Sequence, residues 1–495
     1  MTSARAQSTM QAVRSVLTVG FGVSYLVNVV LEIPALDGFN LVLMVVVLGL
    51  SLFASTGSSR TIGVVLIAVS AGLLLCLQAP LEVWEEALRQ NADLVVMFIM
   101  IPLIGIPVQH GGYSGSLRAM FARYAGTEGR YYALVSGMAA VVGSLISIAA
   151  VPLTYEVSRE SPHGANKRLL GTALTRGFVT CMIWAPTSAT IALVVSLTGI
   201  DWVGFFPCAI ASAVIAEAVG IAMVAVAGMK AKRAGAVGAR VLADEGASGG
   251  SGMPGELGAP GALASEGASA DASAPAAVSP SKVAGLGVFA LVLIGFIAAV
   301  SQLNGLSVIV VVAMASLVWP FVWMLLIGRL PAYARAFKDE YFKTKLPNAK
   351  NQIVLFVAAG MLAQSIGYAD VGTLIAQQLL LATGQSVLLL TVGIIAVALA
   401  TSAVGIHPIV VVAVIGGAIN PVECGMTPMY LALVLSISWA LGNVICPASA
   451  NVIAVSDMVG RSPIEVGPKW NAGYVAVTVA VLVVFLTVAR AQALL

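Results

Sequence analysis

Apolar runs of roughly 20 residues, the length that crosses a ~30 Å hydrocarbon core, recur along the chain. They fall at 15–35, 38–55, 61–80, 93–109, 172–199 and 203–229, and again at 283–301, 305–328, 351–368, 428–456 and 471–492. This pattern predicts eleven membrane-spanning helices. Two further apolar stretches, 131–157 and 385–419, carry Gly, Ser, Thr and Pro near their centres. Each reads as a re-entrant helical hairpin that leaves on the side it entered. An arm of about 13 residues at 1.5 Å rise reaches only ~20 Å, about mid-membrane.

Each hairpin is followed by a span with a proline-centred break. In the first half 141–152 (VVGSLISIAAVP) precedes 184–190 (WAPTSAT), and in the second 398–408 (ALATSAVGIHP) precedes 445–451 (ICPASAN). Pro186 and Pro447, Pro152 and Pro408, and Gly112-Tyr113 and Gly367-Tyr368 stand 261, 256 and 255 residues apart. Three landmarks at nearly one offset mark a duplication. Paired interruptions in two halves point to the binding site of a secondary transporter.

Composition sets the class and charge sets the topology. With 59% hydrophobic and 9% charged residues, the chain reads as an all-α polytopic membrane protein. With the hairpins re-entrant and the N-terminus in the cytoplasm, every Lys and Arg except Arg89 and Arg490 falls on the cytoplasmic side. Had 131–157 crossed instead, Arg159, Lys167 and Arg168 would lie outside and the positive-inside bias would fail. The second unit then repeats the first upside down. The expected organisation is an N-terminal segment with the first span (1–37), a first repeat (38–230), a disordered cytoplasmic linker rich in Gly, Ala, Ser and Pro (231–281), and a second repeat (282–495). Residues 329–345 mix aromatics and bases and are expected along the inner interface. The C-terminus is expected outside. A net charge of +3 gives no reason to expect a nucleic-acid partner, and five single cysteines without ligand spacing read as packing residues. The polar N-terminus reads as leading into an anchor, not as a removable signal.

Irregular backbone at membrane depth is tolerated only where protein buries it or it lines a cavity. The candidate site therefore comprises Ser144 and Ser147 at the first tip, Thr401, Ser402 and His407 at the second, and the breaks Pro186-Thr187-Ser188 and Pro447-Ala448-Ser449, with the Asn443 and Asn451 amides. Proline frees a helix carbonyl, which can help hold a cation. The half-helix after each break can hold an anion at its N-terminus. His407 and mid-span Glu217 are the candidate proton carriers. Arg176 reads as an anchor at a span's cytoplasmic end, and no Lys or Arg falls within the expected site. No zincin His pair, catalytic dyad or nucleotide loop lies at membrane depth, so an enzyme is not expected.

At these residues the chain resembles the ion transporter superfamily. Its order of spans and hairpins is that of the divalent anion:sodium symporters, which include dicarboxylate and citrate carriers. Their Ser-Asn-Thr tips are replaced here by Ser144-Leu145-Ile146-Ser147 and Thr401-Ser402-Ala403, which points to a sister branch. The resemblance implies a scaffold and a transport domain in each protomer, homodimers, and elevator movement. The expected function is secondary transport of a small organic anion of the carboxylate class, coupled to Na⁺ or H⁺. A proton-driven exporter and an uncoupled anion channel are the alternatives. No cofactor is expected beyond that Na⁺, and a bacterial inner membrane is the expected location.

Overall fold

The computed structural model describes residues 2–247, 280–370 and 383–495, with isolated positions between 371 and 382. Among the described residues the chain is helical throughout, with no strand. Three apolar helices open it, α1 (Thr2–Leu31), α2 (Pro34–Ala54) and α3 (Ser58–Cys76). The fourth apolar stretch is built in pieces: α4 (Leu81–Arg89), α5 (Ala92–Met100), a 3₁₀ turn at Ile101–Leu103, and α6 (Gly105–His110). Pro102 stands in that turn, where it offers no N–H to the helix ladder.

After α7 (Ser114–Tyr124) come α8 (Glu128–Ile146) and α9 (Ala150–Ser158). Thr127 caps α8 by accepting from the Arg130 N–H. The two helices fold back on each other: Tyr131 at the start of α8 donates to the Ser158 carbonyl at the end of α9, at 3.3 Å. Stretch 128–158 is long and apolar enough to cross a membrane, but its two ends meet, as those of a hairpin do. The other eleven candidate spans coincide with the eleven predicted from hydropathy.

Next is a broken helix, α10 (Lys167–Trp184) and α11 (Ala189–Thr198), then the long α12 (Trp202–Ala247). The helix continues through 231–247, which the sequence reading assigned to the linker. At its other end 280 and 281 also belong to a helix, and 248–279 lie outside the described residues. The second half contains α13 (Pro280–Asn304), α14 (Val308–Leu326), α15 (Leu330–Ala336), a π-helical segment at Phe337–Lys345, α16 (Leu346–Asn348) and α17 (Lys350–Tyr368). The second hairpin is α18 (Val387–Ala403) and α19 (Pro408–Ala418). The second broken helix is α20 (Pro428–Ile445) and α21 (Ala450–Val459), and α22 (Trp470–Ala491) closes the chain. Both broken helices end on a left-handed glycine, Gly199 and Gly460.

The two broken helices run antiparallel, as an inverted repeat requires. Asn451 donates to the Thr175 carbonyl at 3.1 Å, and the methyl of Val455 lies beside Gly171, one turn earlier in α10. At the far ends, Leu197 and Leu435 meet at Gly416. Of the apolar windows, 89% and 94% are buried in the broken helices against 22% in α2 and α3. The interrupted backbone therefore sits in the protein interior, and intact helices take the periphery. Segment 329–345 departs from a plain interfacial strip. Tyr341 is fully buried and donates to the Ile99 carbonyl at 3.1 Å, tucking this segment against the fourth span beside the Pro102 turn.

Each hairpin lies on its broken helix through a glycine. A Cβ at Gly177 of α10 would collide with the Ser136 backbone, and one at Gly442 of α20 would meet Ser402 Oγ at 2.7 Å. Gly177→Val is expected to abolish folding or lower the melting temperature sharply, because backbone cannot retreat as a side chain can. Gly137→Ala, with nothing within 4 Å of its Cβ, should be neutral or stabilise by about 0.5–1 kcal/mol. Thermal unfolding in detergent measures both.

Single cysteines at Arg130 and Arg159, in a background without the natural cysteines, should react with an impermeant maleimide from one and the same side of the membrane. Labelling from opposite sides would contradict the hairpin.

Candidate functional site

Both breaks are wired alike. At the first, Ala185 ends α10 and Ser188 begins α11, its hydroxyl accepting from the Ile191 N–H at 3.2 Å. At the second, Cys446 ends α20 and Ser449 begins α21, its hydroxyl accepting from the Val452 N–H at 3.2 Å. Each serine also donates six residues back across its proline, Ser188 to the Met182 carbonyl at 3.5 Å and Ser449 to the Asn443 carbonyl at 2.8 Å. These two serines thus cap the following half-helix and close the preceding one.

Each tip rests on its own break. Thr187 Oγ1 donates to the Ser144 carbonyl. In the second repeat the same link is made by Cys446, whose thiol donates to the Ile406 carbonyl at 3.7 Å. Three of the predicted tip hydroxyls are engaged within their own helix: Ser144 to the Val141 carbonyl, Thr401 to that of Val397, and Ser402 to that of Ala398. Ser147 differs. It has φ +52° and ψ −138°, a conformation that costs a non-glycine residue about 1–3 kcal/mol and concentrates at functional sites.

Ser147 and Thr187 open on a cavity of about 240 Å³. Its walls come from the first tip (Ile146, Ile148, Ala149), from the fourth span at its Pro102 turn (Phe98, Ile101, Pro102, Gly105), and from the approach to α17 (Lys345, Asn348, Ala349, Gln352). Thr401, Ser402, His407 and Ser449 do not line it. The cavity lies under the first tip.

Lys345, outside the expected site residues, lines this cavity beside Ser147 and Thr187. It ends the π-helical segment immediately before α16, three-quarters buried. Burial pulls its pKa below the usual lysine value, against the opposing effect of Glu340. Gln352 presents a buried side-chain oxygen with no hydrogen-bond partner among the described residues. The fourth-span break and the Lys345–Gln352 stretch were missed in the sequence. The available signal was Pro102-Leu103-Ile104-Gly105-Ile106-Pro107 inside a span, and a lysine followed by Leu-Pro-Asn at the foot of another.

His407 is an N-cap. Its Nδ1 accepts from the Ile409 N–H at 3.2 Å, and its ring stands edge-on to Trp439. Protonating Nδ1 would remove that acceptor from the start of α19. Glu217 lies at neither tip nor break. It accepts from Ser136, about two helical turns down α8 from Ser144. Arg176 is no surface anchor: it is buried, its Nε donates to Asn471 at 2.7 Å, and its guanidinium lies 4.6 Å from the Tyr474 ring centroid. Beside break 2, Asn443 and Asn451 each present a buried side-chain oxygen with no hydrogen-bond partner among the described residues.

The sequence matches no family model and no curated protein. The fold is similar to that of the YdaH transporter of Alcanivorax borkumensis, whose crystal structure is described as having an unusual topology. The TM-score is 0.53 at 13% identity, over 88% of this chain and 98% of that one.

Thr187→Val should leave the Ser144 carbonyl without its donor and cost about 1–3 kcal/mol, whereas Thr187→Ser should keep the link. Amide exchange at the first tip, followed by mass spectrometry, should quicken in the first variant alone. With this geometry the chain shares the fold of a membrane transporter.

Proposed function

We propose that the chain is a secondary active transporter of a small organic anion, coupled to Na⁺ or H⁺ and working by elevator alternating access. The observation that carries the reading is the pair of hairpin tips, each hydrogen-bonded to the break of its own antiparallel broken helix. In this reading the hairpins and broken helices move as the transport domain against a scaffold that includes the fourth span and α17. The first cavity, lying between those two groups, is where a solute would change its surroundings during the movement. The protein would sit in a bacterial inner membrane as a homodimer, with its N-terminus and linker cytoplasmic and its C-terminus outside. It would belong to a branch of the ion transporter superfamily related to the divalent anion:sodium symporters, and it would not be an enzyme.

Sodium is the better-supported coupling ion. The side-chain oxygens of Asn443 and Asn451, without a hydrogen-bond partner among the described residues, are hard neutral ligands beside break 2. Proton carriage by His407 would have to break the cap of α19. Purified protein in liposomes should therefore accumulate a small carboxylate against its gradient when an inward sodium gradient is imposed. His407→Asn, which keeps a cap acceptor without titrating, should leave that coupling unchanged. Accumulation driven by a proton gradient without Na⁺, and lost in His407→Asn, would establish the proton-coupled alternative. Flux that only ever runs downhill would make the protein a channel.

A further inference from the structure

We propose that the cavity under the first hairpin tip binds a small monocarboxylate with an apolar body, its carboxylate received by Lys345. The inference rests on the transport reading and names the substrate class for that site. Among the described residues Lys345 is the one charged side chain lining the cavity, so the pocket offers a single positive centre. That centre is incompletely neutralised. Its nearest carboxylate, Glu340, stands 3.9 Å away and is approached by His110 at 2.7 Å, and its other contact is the neutral Gln109 oxygen at 3.4 Å. A partly desolvated ammonium whose ion pair is this long gains a strong charge-assisted hydrogen bond when an anion arrives.

The remaining walls set the rest of the ligand. Phe98, Ile101, Ile146 and Ile148 enclose an apolar volume, and at about 240 Å³ the cavity lies below the range of pockets for drug-sized ligands. A second carboxylate would meet these walls without a partner, and burying an unpaired charge is costly. Dicarboxylates are thereby disfavoured. Ser147 and Thr187 supply hydroxyls at the hairpin side, so ligand binding reports directly on the tip and its break. One ligand would thus touch the hairpin and the span it is proposed to move against.

The test uses the full-length protein in detergent, with benzoate as probe, benzamide as its neutral isostere and isophthalate as its dicarboxylate, read by calorimetric titration. Benzoate should bind the unmodified protein more tightly than isophthalate. Lys345→Gln should weaken benzoate by about tenfold or more, which is about 1.4 kcal/mol. Lys345→Arg should restore most of the affinity, and benzamide binding should not respond to either change. Ala149→Trp fills the cavity from the hairpin side and should abolish benzoate binding with Lys345 still present, which tests the site should Lys345→Gln fail to fold. Equal benzoate affinity in the unmodified protein and Lys345→Gln, tighter binding of isophthalate, or no benzoate binding by the unmodified protein would overturn the proposal. Concentrative carboxylate uptake in liposomes that is indifferent to Lys345 would overturn the site and leave transport standing. Lys345-dependent binding without concentrative flux of any solute would uphold the site and remove the transport reading.

Discussion

Backbone polar groups at membrane depth have no water to turn to, and this constraint organises the molecule. The chain interrupts its helices at Pro102, Pro186 and Pro447 and turns back at two hairpin tips, so the ladder is opened repeatedly where lipid could not repair it. The repairs come from neighbours in the protein. Ser188 and Ser449 cap and close the two broken helices, Thr187 and Cys446 tie the tips down, and Tyr341 reaches a carbonyl beside the Pro102 turn. Remove those partners and the interruptions become unsatisfied polar groups in a low-dielectric interior.

Close packing follows from the same constraint. A tip can reach its break only if the hairpin arms lie directly on the broken helix, and glycines at 177 and 442 permit that approach. The two broken helices cross antiparallel through the centre and are the most buried elements of the fold, while α2 and α3 keep most of their apolar surface outward. In a lipid solvent, association gains little from apolar burial alone, so interdigitation and hydrogen bonds between helices carry the specificity.

Backbone symmetry does not extend to side-chain chemistry. The first break is fastened by a threonine hydroxyl and the second by a cysteine thiol, a weaker donor. Only the first tip adjoins the Lys345 cavity, and the strained Ser147 belongs to that tip. The cluster of Arg176, Asn471 and Tyr474, with Glu217 and Ser136 beside it, braces the first hairpin, α10, α12 and α22.

Hydropathy and the offset prolines were enough to locate the long apolar segments and the two proline breaks, because segment length against bilayer thickness and the missing proline N–H act locally. The serines at 188 and 449 were legible as important, though their work is capping. Tertiary structure alone decided the rest. The register between α10 and α21 and the arrival of Lys345 beside residues some two hundred positions away depend on packing between distant segments. Arg176 and Glu217 show the limit most plainly. A charge near a span end and an acid mid-span look alike in sequence whether they meet water, lipid or a partner, and burial with specific partners is settled only when the helices assemble.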